Sequence, residues 1–269
     1  MQGGMAQTIG LVLAARAKLR GLPAPHWPDS SIYNFCNRVT FTGRTRPSAQ
    51  PWRRDAPLPD PDAWLNSLPS GTTEARLRVI RRNDPNIGDR MSVAFAGGGP
   101  VSVAEILADI PEGWIGRWEV TDREAADRRI WSVNYRNAGR APPDIPEVTA
   151  TLVEARSALD SALREAADFA QAQGMGFESS IRAGLEALDS PDPMAGYFHA
   201  DLFPEGLLSL EARQVFASAA KSWVFGGMGS WNDWGSSREE DQRRYEAISD
   251  RFFWAVIAGL VAGTNGGGS

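Results

Sequence analysis

The spacing of apolar residues changes at Pro146, from every second residue before it to alternating steps of three and four after it. Side chains alternate across a strand and recur about every 3.6 residues on one side of a helix. The earlier part of the chain is therefore predicted to form a sheet and the later part helices. Val148, Leu152, Ala155, Leu159, Ala162, Ala166 and Phe169 make one narrow seam. This predicts a helix of roughly 28 residues with Pro146 in its first turn, where a missing N–H costs nothing. The alanines in the seam allow a neighbouring helix to come close. Further helices are expected over 177–188 and 209–225. A last one is expected from Ser237, whose spacing to Glu240 suits a capping box, through Tyr245, Ile248, Phe252, Val256 and Leu260. Its C-terminal half is apolar on every side and so belongs in a core. The run "FFWAVIAGLVAG" has twelve residues, fewer than the roughly 20 that span a bilayer. The tail "TNGGGS" is expected to fray.

Before Pro146, a helix is expected over 6–20, with Ile9, Val12, Leu13 and Leu19 on one side and Arg16 interrupting the stripe. Alternation over 31–42 predicts a strand, with Tyr33, Phe35, Val39 and Phe41 on one face and Asn34, Cys36, Arg38 and Thr40 on the other. "EARLRVIRR" and "DRMSVAFAG" read as a hairpin joined through the turn chemistry of "NDPNIG". "GWIGRWEV" and "RRIWSVNYR" read as a second hairpin, and residues 102–109 as one short helix. With no crossover units in view, the sheet of about five strands is expected to be antiparallel. The fold class is thus α+β: an antiparallel sheet region over 1–140 packed, as one compact unit, with a bundle of about four helices over 146–264.

With 269 residues, 42% of them hydrophobic, the chain can bury a sizeable core. A single cysteine, Cys36, excludes a disulfide framework and a thiolate zinc site, and it reads as a buried thiol. No positive side chain precedes the apolar N-terminal stretch, which argues against a signal peptide. A cytoplasmic, bacterial-type protein without membrane attachment is expected. Charge is uneven along the chain: net +6 over residues 1–100 and net −11 over 101–269, for −5 in total.

Two glycine clusters raise the question of a phosphate site. "VAFAGGGPVSVAEIL" has the order strand, glycines, helix, but no Walker or dinucleotide spacing, and Ser102 with Glu105 would cap the helix internally. In "SWVFGGMGSWNDWGSS", Gly226, Gly227 and Gly229 follow a helix whose end carries partial negative charge. They read as a C-cap. Trp231 and Trp234 around Asn232 and Asp233 are either anchors for the connection or the wall of a pocket. In "GYFHADLFP", His199 and Asp201 would share one side of an extended segment, an acid–base pairing. A site joining His199 to Asp233 would have to bridge the length of the helix between them, roughly 25 Å.

No metal-binding cluster and no cofactor are expected. The leading expectation is a non-catalytic interaction or regulatory protein that binds a protein partner through the Trp-rich loop (Trp231, Asn232, Trp234) and the sheet face. The first alternative is a small-molecule hydrolase or transferase using His199, Asp201, Asn232 and Asp233. The second is nucleic-acid binding through Trp52, Arg53 and Arg54, with Arg38, Arg44 and Arg46 beside them and Arg76, Arg78, Arg81 and Arg82 of "RLRVIRR".

Overall fold

A computed structural model describes residues 1, 3–43, 56–139 and 146–267. Helix α1 (Gly3–Leu19) is followed by a 3₁₀ turn (Ser31–Tyr33), strand β1 (Cys36–Thr42), helix α2 (Pro61–Asn66) and strand β2 (Glu74–Ile80). A single helical turn, α3 (Asp89–Ser92), leads to β3 (Val101–Leu107), β4 (Glu112–Val120) and β5 (Trp131–Asn137). The second half holds α4 (Leu152–Gln173), α5 (Glu178–Ala187), α6 (Leu210–Lys221) and α7 (Glu239–Asn265). 3₁₀ turns lie at Ala200–Leu202 and Trp231–Asp233. The architecture is α+β.

The strands lie in the order β1-β5-β4-β3-β2. β2 to β5 form an antiparallel meander, but β1 pairs with β5 in parallel, so the sheet is mixed and the antiparallel expectation is corrected. Alternation specifies which face a side chain takes, not which strand lies alongside or in which direction. A register shift between Cys36 and Arg38 also moves Cys36 to the buried side with Val39 and Phe41, while Phe35 is left exposed.

Two segments change type. "DRMSVAFAG" forms α3 and a glycine-rich turn instead of a strand, and residues 101–107 form β3 instead of a capped helix. Glu105 is therefore no cap. It sits 3% exposed on β3, paired with Arg76 and, at 3.2 Å, with Arg78, which also bonds Glu147 at 2.7 Å. Removing one member of a buried pair strands its partner, whereas replacing the pair together does not. Glu105→Leu is expected to cost about 3 kcal/mol in chemical denaturation. Adding Arg78→Met should recover most of it, and a double variant no more stable than the single would remove the ion pair as the cause.

α1 is buried all round from Met5 to Ala17, not along one stripe, because β2, β3 and β4 cover one side while α2 and α7 touch it elsewhere. Arg16 survives inside by donating to Gly266 O at 2.8 Å, and burial pushes its pKa down. In the helical half, α4 packs on α7 and α5, and α6 on α5 and α7. The seam holds from Ala155 to Phe169, but α4 starts at Leu152, where Thr151 and Glu154 form a capping box. Pro146 to Val148 instead run beside β2, with Val148 N donating to Val79 O at 2.9 Å.

α7 starts at Glu239 with no side-chain cap, so Ser237 does not initiate it. By length and composition α7 could cross a membrane, yet 72% of its most apolar window is buried inside the protein. A Cβ on Gly263 would sit 2.7 Å from Phe216 Cβ, which is how α6 comes so close. The end of α7 is pinned: Asn265 accepts from Leu77 N at 2.7 Å and donates to Leu77 O at 2.9 Å. That amide occupies part of the open edge of β2.

Candidate functional site

His199 and Asp201 flank the start of the 3₁₀ turn Ala200–Leu202, and both turn toward the earlier turn at Ser31. Asp201 accepts from Ser30 Oγ at 2.7 Å, from Ser31 N at 3.1 Å and from Ser31 Oγ. His199 Nδ1 lies 2.7 Å from the same Ser31 Oγ. A serine hydroxyl has one proton. With that proton on Asp201, Nδ1 of His199 is the donor and Nε2 carries the lone pair. Burial lowers the His199 pKa from its ordinary 6.5, Asp201 opposes the shift, and the Met1 amino group reinforces it. The imidazole is thus a neutral base with a fixed tautomer.

His199 and Ser31 stand in the wall of a cavity of about 540 Å³, within the size range of small-molecule sites. One wall is the first turn of α1, Gly3 to Ala6, which contains no acidic side chain. The sheet contributes Ser102, Gly116, Trp118 and Trp131, the two indoles meeting edge to face with centroids 5.8 Å apart. The segment from Val93 to Gly98 closes another side. Arg82 holds it by donating to Gly97 O and Gly99 O, each at 2.6 Å, and Ser92 Oγ accepts from Gly99 N at 2.8 Å. The first glycine cluster therefore offers its carbonyls to an arginine. A Cβ at Gly98 would lie 1.8 Å from Ser92 O, so only glycine fits there.

Cys36 also lines the cavity, with Gln7 Nε2 donating to its Sγ at 3.4 Å. Burial pushes its pKa up to about 11. At neutral pH it is a thiol and a poor nucleophile.

The Trp-rich loop serves another purpose. Trp231 is buried, donates Nε1–H to Ser249 Oγ at 2.7 Å and packs against Phe169, Phe177, Tyr245 and Phe252. Trp234 is half-buried with its edge on Phe169, 5.1 Å between centroids. Asn232 accepts from Arg90 Nη1 at 2.9 Å and donates to Arg90 O at 3.0 Å, while Glu246 binds Arg90 Nη2 at 2.6 Å. The loop thus fastens α3, and with it the start of the Val93–Gly98 wall, to α7. Asp233 accepts from Gly229 N and Ser230 N and caps its own turn. His199 and Asp233 share no hydrogen bond among the described residues. α6 ends at Ser222, whose hydroxyl bonds Ser218 O at 2.7 Å, so the helix stops before the glycines read as its cap.

Trp52, Arg53 and Arg54 lie outside the described residues. Of the other arginines read as a nucleic-acid face, Arg76 and Arg78 pair with the protein's own carboxylates, and Arg81 stacks 3.9 Å from the Trp254 ring centre. Among the described residues no group of three or more His, Cys, Asp or Glu is placed to hold a metal ion. Ser30 and Ser31 escaped the sequence reading, and Arg82 was read only as one of the arginines of "RLRVIRR". "PDSS" looks like any turn, and only its meeting with residue 199 gives it a role. Comparison of the chain with protein-family models, with curated proteins and with solved structures finds no match.

Proposed function

We propose that this protein is a small-molecule hydrolase or transferase whose site is the 540 Å³ cavity and whose base is His199. The observation that carries this reading is the convergence of His199 and Ser31, from two distant stretches, onto one cavity wall, with Asp201 bonded to Ser31 behind them. Ser31 donates its proton to Asp201, and Cys36 is held as a thiol, so neither is the activated nucleophile of a covalent mechanism. Nε2 of His199 instead takes a proton from water or from a substrate hydroxyl. The oxygen so freed attacks the electrophilic centre of the bound molecule, and the departing group recovers the proton from the imidazolium. Asp201 and Ser31 are positioning residues for the ring. The leading alternative, a protein partner held by the Trp-rich loop, draws less support because Trp231 and Asn232 are buried.

The test is hydrolysis of p-nitrophenyl acetate as a function of pH. The base form is the active one, so the rate is expected to hold steady through neutrality and to fall on an acid limb below 6.5. The Met1 amino group, lowered to about 6 by burial, titrates nearby. Acetylating it removes a positive charge that lowers the His199 pKa, so the limb is expected to persist and to move toward higher pH. A rate indifferent to pH across this window would overturn His199 as the base.

A further inference from the structure

Three phenylalanines from three separate connections line the cavity and remain more than half exposed: Phe35 at 52%, Phe95 at 63% and Phe198 at 64%. A side chain that both lines a cavity and faces solvent stands at its mouth. Exposed phenylalanines scattered singly need no explanation, but three around one opening mark an apolar binding surface. The apolar lining continues inward through the Trp118 and Trp131 pair, Met5 and Ile32. The polar side chains of the lining are His199, Ser31, Thr8, Ser102, Cys36 and Arg82, and Arg82 is engaged by Gly97 O and Gly99 O. Phe198 also lies edge-on to the imidazole, with ring centroids 4.9 Å apart, so the apolar rim reaches the basic nitrogen's own ring.

Building on the hydrolase reading, we infer that the substrate class is an ester with a medium-length apolar acyl chain, the chain lying under the Phe35, Phe95 and Phe198 rim and the carbonyl beside His199. In the reaction water's oxygen bonds to the acyl carbon while Nε2 takes its proton. The acyl–oxygen bond then breaks, and the leaving oxygen takes that proton, releasing a carboxylic acid and an alcohol.

The experiment uses the full chain with p-nitrophenyl acetate, butyrate and octanoate, and in parallel the binding of the dye 1-anilinonaphthalene-8-sulfonate with its displacement by the octanoate ester. Each fully buried methylene strengthens binding about fourfold, so even partial burial is expected to raise kcat/KM at least about tenfold from acetate to octanoate, mainly through KM. Phe35→Ala and Phe95→Ala, both at exposed positions, should flatten that dependence by lowering kcat/KM for the octanoate ester several-fold more than for the acetate. Hydrolysis without dependence on chain length overturns the acyl-chain inference and leaves the base reading standing. Dye binding weakened by both variants, with no hydrolysis of any ester, retains the apolar ligand and overturns the hydrolase reading. Failure of the dye to bind, with acyl length irrelevant, overturns the inference.

Discussion

His199→Gln is expected to lower kcat for p-nitrophenyl acetate by about 10²- to 10⁴-fold, the usual contribution of a positioned general base. KM should change little. Glutamine is close in reach and can still donate to Ser31 Oγ, so the turn at Ser31 keeps its hydrogen bond, but an amide nitrogen accepts no proton at neutral pH. The structural cost should be small, since His199 is only half-buried and its hydrogen-bond partner is Ser31 Oγ. A thermal midpoint within about 3 °C of wild type, together with the kinetic loss, separates a chemical role from a folding one. Unchanged kcat with unchanged stability would remove His199 from the mechanism and leave the cavity as a binding site.

Trp231→Ala acts through the opposite route, with a large loss of stability and only an indirect effect on the site. Truncating a fully buried indole removes its transfer free energy and leaves a cavity, together worth about 3–5 kcal/mol. Ser249 Oγ also loses its donor, and four aromatic rings lose a neighbour. For a chain of this size the thermal midpoint is expected to fall by about 6–20 °C. Loosening residue 231 also frees Asn232, which grips Arg90 ahead of the Val93–Gly98 wall. KM should therefore rise at temperatures where the variant is still folded. A fall of under about 3 °C would show that the loop is not an anchor.

The helical half was the more legible. Its seam from Ala155 to Phe169 depends on spacing within one segment, and helical hydrogen bonds close within four residues. The errors there were at the ends, where Thr151 and Ser222, rather than Pro146 and the later glycines, stop or start the helix. The sheet half was less legible because its signals are shared with other structures. Ser102 and Glu105 have the spacing of a capping box, but a buried guanidinium on β2 gives Glu105 a stronger partner in a strand. The Cys36 face was misread because a bulge shifts the alternation by one residue, and bulges leave little trace in residue type.

The candidate site was half legible. His199 and Asp201 stood out as a chemical pair, and in the structure both bond the Ser31 hydroxyl. The carboxylate Asp233 carried a similar signal but is spent on its own turn. What the sequence determined by itself was local: where the long helices form, which stretches turn, and that a large apolar core must exist. Those properties follow from periodicity and from residue types a few positions apart. The tertiary structure alone decided that β1 joins the sheet in parallel, that Trp231 faces inward, and that Ser31, Arg82, Phe95 and His199 surround one cavity. Contacts between residues so far apart in sequence depend on how whole elements pack, and no short-range pattern encodes that.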